Sequence, residues 1–234
     1  CGAMENACEQ VGRTIKTISA GGGLPTPYKE DQNYVDLDAY FELWDAARNR
    51  LAGNFGHAIS LEIEPGRYLS AEAGYLLTEI RAIKEMGENT FYLVDAGFNT
   101  LARPILYGSY HPMSLAPRDG SDAARNKHNV VVGGPLCESG DIFTQEEGGF
   151  VSQRELPTAA IGDLLVIEVA GAYGVVMASN YNSKPLPAEV LITDGTPHEI
   201  RARQSLDDLI RGERIPEVCR SDAQLRCFWH EGCH

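Results

Sequence analysis

The hydrophobic pattern of the sequence changes near residue 75, and this change constrains the fold more than any other feature. Before it, helical periodicity, beginning with residues 2–12, is followed by strand-like alternation. After it, short β-rich runs are separated by turns. Because a change of period indicates a change of secondary structure, the sequence predicts an α/β part over residues 1–75 and an antiparallel β domain over residues 76–214.

In the first part, two strands enclose a helix. Apolar alternation predicts strands over residues 14–19 and 57–64. An apolar stripe over residues 40–51 predicts a helix, which Asp36 or Asp38 is placed to cap. A strand, a helix and a second strand in succession are typical of a parallel βα barrel, whose active site lies at the carboxyl ends of its strands. About two of the eight units of such a barrel are present.

The second part is predicted to consist mainly of strands. Periodicity alone leaves residues 76–84 open between helix and strand, and residues 112–127 are predicted to form a polar, proline-bearing loop. Ser205 with Asp208 is typical of the capping box that begins a helix. The runs predicted as strands are residues 75–83, 90–95, 129–132, 163–169, 190–193 and 198–203.

The charge of the chain narrows the choice of partners. The formal net charge is −13 at pH 7 and no basic cluster offsets it locally, so we expect no nucleic-acid partner. The longest apolar stretch, residues 164–178, contains Glu168 and is shorter than the roughly 20 residues that span a bilayer. We therefore expect no membrane segment, and small molecules or further copies of the chain are the expected partners.

The six cysteines do not show the even spacing of a disulfide framework, so we expect reduced thiols and a cytoplasmic protein. The end of the chain is rich in cysteine and histidine but lacks the Cys-x-x-Cys pair of structural zinc sites, so no metal site is expected there. The residues concerned are Cys219, Cys227, His230, Cys233 and His234.

Five short motifs place glycines and reactive side chains together, several of them directly after predicted strands. Glycines after a strand let backbone N–H groups approach an anion such as a phosphate. The longest motif adds a thiol and two carboxylates to its glycines. The motifs are Gly-Gly-Gly-Leu-Pro at 21–25, Glu-Pro-Gly-Arg at 64–67, Asp-Ala-Gly-Phe-Asn at 95–99, Gly-Gly-Pro-Leu-Cys-Glu-Ser-Gly-Asp at 133–141 and Gly-Ala-Tyr at 171–173.

With these motifs in this order, the chain resembles the barrel-type pyridoxal-phosphate (PLP) decarboxylases from about residue 1 to about residue 214. The resemblance implies the C-terminal part of a PLP-binding (β/α)8 barrel followed by an antiparallel β domain, and it favours a strand for residues 76–84. Residues 215–234 lie outside it as an atypical tail. Within the family, the branch that acts on meso-diaminopimelate is the most similar, which implies a carboxy-lyase that releases CO2 and L-lysine.

The resemblance assigns the cofactor contacts. It implies that the glycine loop and Tyr173 bind the phosphate, and that Glu64 pairs with the pyridine nitrogen and keeps the ring protonated. The guanidinium of Arg67 would cover an anionic group of the cofactor or the substrate. The implied cofactor-binding residues are Gly21, Gly22, Gly23, Glu64, Gly66, Arg67 and Tyr173.

The resemblance also assigns the substrate contacts. It implies that Arg103 and Tyr107 meet the distal end of diaminopimelate, which carries a carboxylate and an ammonium. Cys137 and Glu138 would reach across a homodimer into the partner's site, with Cys137 as the catalytic residue that returns a proton to the carbon that lost CO2 and Glu138 binding the distal ammonium. The implied substrate-binding residues are Arg67, Arg103, Tyr107, Glu138 and Tyr173.

Other interpretations stay open. Taken alone, the triple glycine is also typical of a tight turn, Arg103 of a loop anchor, and a lone cysteine such as Cys137 of a small structural hydrophobe. For the chain as a whole, the alternatives are a decarboxylase of the same fold that acts on ornithine, arginine or carboxynorspermidine, and a non-catalytic regulatory relative.

The family holds PLP as a Schiff base on a lysine near the amino end of the barrel, and no lysine of this chain lies in a matching context. We therefore expect the chain to be the carboxyl-terminal portion of a longer enzyme and to be inactive alone. An incomplete barrel leaves strand edges exposed, so we also expect poor solubility. The lysines are Lys16, Lys29, Lys84, Lys127 and Lys184.

Overall fold

The computed structural model describes residues 2–121 and 125–217. Contacts within the chain divide it into two compact units, of which the first ends at Ala178 and the second begins at Ser179. The Cys/His-rich positions Cys219, Cys227, His230, Cys233 and His234 lie outside the described residues. The domain boundaries expected from the sequence, after residues 75 and 214, stay a prediction.

The first unit begins with alternating helices and strands. Strands β1 (Thr17–Ser19) and β2 (Ser60–Glu62) pair in parallel, with Ile18 opposite Leu61, and helix α2 (Leu37–Phe55) connects them. The expected succession of strand, helix and parallel strand is therefore confirmed, although both strands are shorter than predicted. The elements are α1 (Gly2–Val11), β1 (Thr17–Ser19), α2 (Leu37–Phe55), β2 (Ser60–Glu62) and α3 (Gly66–Ser70).

Local chemistry determines where α2 begins and ends. Asp36 is the N-cap, because its carboxylate accepts a hydrogen bond of 3.0 Å from the backbone N–H of Ala39. Gly56 ends the helix with φ 70°, a left-handed conformation that glycine adopts without a steric penalty. The buried side of the helix packs through Leu51 against Ile18 and Ile59 of the neighbouring strand segments. This packing stabilises the parallel pair.

The rest of the first unit is built on a six-stranded sheet. The segment left open between helix and strand is a strand, as the family resemblance favoured. The elements are β3 (Leu76–Met86), β4 (Asn89–Val94), α4 (Arg103–Tyr107), β5 (Met113–Ala116), β6 (Lys127–Gly133), β7 (Arg154–Pro157) and β8 (Leu164–Ile167), followed by a short 3-10 helix (Val175–Met177). The order of the strands in the sheet is β5-β8-β3-β4-β6-β7.

The sheet is mixed, which corrects the expectation of a purely antiparallel domain. Strands β4 and β6 run parallel, with Thr90 opposite Val130, and the other pairs in this sheet are antiparallel. A parallel pair needs a crossover connection, and residues 95–126 are long enough to return the chain to the same end of the sheet. The predicted loop at 112–127 is also partly wrong, because β5 lies within it and pairs with β8.

The core of this sheet is formed by the apolar side chains of its central strands. Val130 and Val132 are fully buried, as are Ile80 and Leu165 on the neighbouring strands. Burial of each such side chain stabilises the fold by roughly 1.5–3 kcal/mol. The loops at the ends of these strands therefore extend from a tightly packed core.

The second unit contains a hairpin and a helix, with a 3-10 turn (Tyr181–Ser183) before them. Strands β9 (Glu189–Thr193) and β10 (Thr196–Arg201) pair in antiparallel fashion around Asp194 and Gly195, which both have positive φ. Two such residues are typical of a type I′ hairpin turn. Helix α5 (Leu206–Ile210) begins with the predicted capping box, which is confirmed: Ser205 and Asp208 bond each other's backbone N–H groups.

Candidate active site

The triple glycine and Glu64 lie side by side at the carboxyl ends of β1 and β2. The backbone N–H of Glu64 donates to the carbonyl of Gly21 at 2.8 Å, and a Cβ atom on Gly22 would stand 3.1 Å from the carbonyl oxygen of Glu64. Gly21 and Gly23 have φ of 68° and 89°, values that favour glycine. Two motifs separated by about 40 residues in sequence thus form one glycine-lined rim.

The side chain of Glu64 is exposed at this rim and accepts a hydrogen bond of 3.4 Å from the hydroxyl of Ser19. Helix α3 follows directly, with Gly66 as its first residue, so that the exposed Arg67 projects from its first turn. The space beside Gly66 is open, since an added Cβ would meet no atom within 4 Å. The rim therefore joins backbone amides, a carboxylate and a guanidinium.

Tyr173 is brought to Arg67 by a close backbone contact. The N–H of Gly171 donates to the carbonyl of Ala71 at 2.9 Å, and a Cβ atom on Gly171 would lie only 1.9 Å from the carbonyl oxygen of Ser70. Only glycine fits this position. Tyr173 itself has φ 56°, and its ring centroid lies 5.5 Å from the guanidinium carbon of Arg67.

A cleft of about 440 Å³ collects four of the residues that the family resemblance assigned to cofactor or substrate. These four come from three separate segments of the chain, which shows that the fold brings the motifs together. The lining residues are Arg67, Arg103, Tyr107, Ser109, Tyr173 and Met177.

Arg103 forms the buried end of this cleft, with 5% of its surface exposed. Its Nη1 donates to the hydroxyl of Tyr28 at 3.0 Å and to Nε2 of His111 at 3.1 Å, and its guanidinium carbon lies 4.9 Å from the Tyr28 ring centroid. Within residues 2–121 and 125–217, no carboxylate forms an ion pair with it. A buried cation with only neutral partners favours the binding of an anion.

His111 is fully buried and orients Arg103. Because an arginine can only donate, Nε2 of His111 is the acceptor, and Nδ1 carries the proton that is donated to the carbonyl of Glu168 at 3.0 Å. Burial lowers the pKa of His111 to about 4, so the ring is neutral at pH 7. Sequence reasoning missed His111 and Tyr28, because their proximity to Arg103 exists only in the folded chain.

Tyr107 lies four residues after Arg103, at the end of α4, and therefore on the same face of this short helix. Its side chain is 60% exposed, which leaves the hydroxyl free to meet a ligand from solvent. The helix ends at Gly108, whose φ of 58° is a left-handed conformation that favours glycine. Arg103 and Tyr107 thus present a buried cation and an exposed hydroxyl to the same space.

Cys137 and Glu138 lie elsewhere, in the turn that follows β6. Both are exposed, and neither lines the cleft. One carboxylate oxygen of Glu138 accepts hydrogen bonds from the hydroxyl of Ser139 at 3.2 Å and the N–H of Gly140 at 3.3 Å. The structure therefore gathers Arg67, Arg103, Tyr107 and Tyr173 in the cleft, but not Cys137 and Glu138.

Residues 2–121 and 125–217 contain no helix with the length and apolar character needed to cross a membrane. In the same ranges, no three His, Cys, Asp or Glu residues are grouped so that they could hold a metal ion.

Known proteins show the same combination of motifs and fold. Diaminopimelate decarboxylase of Escherichia coli K12 is 50% identical over 216 residues, which cover 92% of this chain and 51% of the relative. The enzyme of the same name from Streptomyces coelicolor is 49% identical over 222 residues, covering 92% of this chain and 50% of the relative. The chain thus spans about half the length of the curated relatives it matches.

Solved structures give the same result. A crystal structure of diaminopimelate decarboxylase superimposes with a TM-score of 0.86 at 50% identity, covering 90% of this chain and 50% of that one. The diaminopimelate decarboxylase of M. jannaschii, in complex with L-lysine, gives 0.76 at 33% identity and covers 92% and 47%.

The family model for the C-terminal sheet domain of pyridoxal-dependent decarboxylases matches residues 27–171. This range contains more than half of the chain and most of the residues that line the cleft. The resemblance inferred from the motifs is therefore confirmed, and the chain belongs to the pyridoxal-dependent decarboxylase family.

Proposed function

We propose that this chain forms the C-terminal portion of a PLP-dependent carboxy-lyase that converts meso-diaminopimelate to L-lysine and CO2 in the cytoplasm. One observation carries the proposal: the cleft unites Arg67, Arg103, Tyr107 and Tyr173, which the family resemblance assigns to cofactor or substrate. The names of the relatives that match over 92% of the chain support the substrate. Because the chain matches about half of each relative, the proposed activity is that of the chain joined to an equivalent of the remainder.

The residues at the rim fit the cofactor. Gly21 and Gly23 have positive φ, and glycines let the backbone approach an anion such as a phosphate closely. Arg67, whose guanidinium lies over the ring of Tyr173, would add a cation and Tyr173 a hydroxyl. The carboxylate of Glu64 would hold the proton on the pyridine nitrogen. When bound, PLP supplies the electron sink that stabilises the negative charge left on the substrate carbon as CO2 departs.

Arg103 favours diaminopimelate over ornithine as the substrate. Its buried guanidinium has neutral partners only among the described residues, so a ligand carboxylate would complete it with charge-assisted hydrogen bonds. The distal end of diaminopimelate has such a carboxylate, whereas that of ornithine has only an amine. This difference favours diaminopimelate over the polyamine precursors, and Tyr107 would add a hydroxyl contact at the same end.

Cys137 and Glu138 would act in the site of a second subunit. Both are exposed and stand apart from the cleft of their own chain, which supports a homodimer with shared active sites. The thiol of Cys137 would return a proton to the carbon that lost CO2, and the carboxylate of Glu138 would bind the distal ammonium of the substrate. We further propose that β1 and β2 belong to a (β/α)8 barrel that the rest of the enzyme completes.

A chimaera tests the proposal. This chain is joined to the part of the Escherichia coli enzyme that it does not match, and CO2 release is measured with meso-diaminopimelate and with L-ornithine. We expect PLP-dependent release from meso-diaminopimelate and much weaker release from ornithine. Equal use of both substrates would assign the chain to the polyamine branch, and a folded chimaera that binds PLP but releases no CO2 from either would favour a non-catalytic relative.

The chain by itself serves as the second sample. We expect it to release no CO2 from meso-diaminopimelate, because none of its lysines matches the family's PLP-bearing lysine. Activity of the isolated chain at a rate comparable to the chimaera would show that this requirement is wrong.

A further inference from the structure

Asp141 lies at the junction of two loops that the sequence keeps more than 30 residues apart. Its side chain is buried, with 4% of the residue exposed. Oδ1 accepts a hydrogen bond of 2.8 Å from the backbone N–H of Phe98, and Oδ2 accepts one of 2.8 Å from that of Leu136. One carboxylate thus bonds both loops at once.

The backbone of Asp141 closes the turn that carries Cys137 and Glu138. The N–H of Gly134 donates to the carbonyl of Asp141 at 2.8 Å, and the N–H of Asp141 donates to the carbonyl of Glu138 at 3.1 Å. Together with the side-chain bond to Leu136, three hydrogen bonds connect Asp141 to this turn. Asp141, the last residue of the turn, therefore stabilises the conformation of the whole turn.

Two glycines make room for the carboxylate. A Cβ atom on Gly134 would lie 2.2 Å from Oδ2 of Asp141, and one on Gly97 would lie 2.9 Å from the same oxygen. Both distances are shorter than van der Waals contact allows. Glycine is thus needed at these two positions because a side chain would occupy the space of the Asp141 carboxylate.

We propose that Asp141 is the positioning residue that presents Cys137 and Glu138 to the site they serve. The inference rests on the proposed function, in which these two side chains act in a partner's cleft. Only a carboxylate accepts hydrogen bonds on both oxygens without bringing a donor of its own. An asparagine keeps one of the two bonds and turns its NH2 group toward the other backbone N–H.

The hydrogen bonds of Asp141 to this turn form within one subunit, so the turn has its conformation before the subunit binds a partner. A preformed turn loses less conformational freedom on docking than a flexible one does. Burial of Asp141 raises the pKa of its carboxyl, and the hydrogen bonds from Leu136 and Phe98 oppose that rise. Direct backbone hydrogen bonds to the two carboxylate oxygens therefore join the two loops.

The test compares Asp141→Asn with Asp194→Asn, which makes the same chemical change at an exposed hairpin turn. In the completed chimaera we expect Asp141→Asn to lower kcat by roughly tenfold to a hundredfold, since misplacing a reacting group by about 1 Å has effects of that size. The absorbance of bound PLP should not change, because the cofactor residues lie elsewhere. Wild-type kcat in Asp141→Asn would overturn the proposal.

A second readout is independent of activity. The rate at which N-ethylmaleimide modifies Cys137, followed by peptide mass spectrometry, should differ from wild type in Asp141→Asn and not in Asp194→Asn. In Gly97→Ala the added Cβ would lie 2.9 Å from Oδ2 of Asp141 and 2.8 Å from Cγ of Leu136, so this variant presses on the same turn from the other loop and should reproduce the effect. Unchanged Cys137 reactivity in a folded Asp141→Asn or Gly97→Ala protein would overturn the proposal.

A third measurement needs no variant. If Asp141 holds both loops, the amide hydrogens of Phe98 and Leu136 are protected from exchange with deuterium although they lie outside the strands. Rapid exchange of both in the wild-type protein would overturn the inference. If the chimaera lacks decarboxylase activity, the proposed function fails, while thiol modification and amide exchange still decide whether Asp141 positions the turn.

Discussion

Arg103 donates a hydrogen bond of 3.1 Å from Nη1 to Nε2 of His111, and both side chains are buried. The histidine is neutral, so it orients the guanidinium without cancelling its charge. The hydroxyl of Tyr28 accepts a second hydrogen bond from the same nitrogen, at 3.0 Å. A cation that is oriented by neutral groups retains its attraction for an anionic ligand. The expected effects of changes at Arg103 and His111 depend on this contact.

Replacement of Arg103 by Gln should reduce kcat/KM for meso-diaminopimelate in the completed chimaera by roughly 10- to 100-fold, the worth of hydrogen bonds to a charged group. Turnover of ornithine, which lacks the distal carboxylate, should change much less. Arg81→Gln is the matched control, because Arg81 is a surface residue paired with Glu79. An equal loss with both substrates would indicate that Arg103 acts as a structural anchor of its loop.

The pH dependence of stability should report His111. Its pKa is about 4 in the folded chain, against about 6.5 in the unfolded chain, so the unfolded state binds a proton first as the pH falls. Its stabilising contribution is complete above pH 6.5 and is lost progressively toward pH 4. Between pH 7 and pH 5 the free energy of unfolding should fall by about 2 kcal/mol through this residue.

Urea unfolding of wild type and His111→Gln at both pH values isolates the contribution of this histidine. The variant should lose the part of the pH dependence that His111 causes, whereas His198→Gln, at an exposed position in β10, should keep it. Identical pH dependence in wild type and His111→Gln would contradict the expectation.

Gly171→Ala should destabilise the first unit by about 1–3 kcal/mol, as overpacking does. The added methyl group would lie 1.9 Å from the carbonyl oxygen of Ser70, so the segment must move and carry Tyr173 away from Arg67. In the chimaera, the affinity for PLP should fall. Gly53→Ala is the control: it lies in α2 with open space around it and should stabilise the protein by up to about 1 kcal/mol.

Asp36→Ala should cost about 1 kcal/mol of stability through loss of the N-cap bond to Ala39. Asp38→Ala removes a carboxylate from the first turn of the same helix, where it makes a smaller contribution through the helix dipole. Thermal unfolding of the two variants is the measurement. A larger loss for Asp38→Ala would show that the helix begins differently.

Several elements were predictable because their causes lie within a few residues. The cap of α2 and the capping box of α5 depend on side chains that bond backbone N–H groups three residues away. The parallel pairing of β1 with β2 followed from the alternation of apolar residues and the helix between them. The strand at Leu76–Met86 needed the family resemblance as well, because its apolar spacing also suits a helix.

Other elements could not be read from local patterns. Strand β5 has only four residues, too few for an alternation to predict a strand within a polar segment, and β8 pairs with it. The parallel pairing of β4 with β6 likewise depends on the course of the long segment between them. Neither feature has a local sequence signal.

The family, the cofactor chemistry that it implies and the residue types at each motif could be inferred from the order of the residues, because short patterns of glycine, carboxylate, guanidinium and thiol are recognisable without the fold. Tertiary structure alone decided which motifs meet. Tyr28 reaches Arg103 across 75 residues of chain, and Asp141 reaches Phe98 across 43. Contacts over such separations depend on how the strands and loops pack, because hydrogen bonds and steric contacts act over a few ångströms of space, however distant the residues are in sequence.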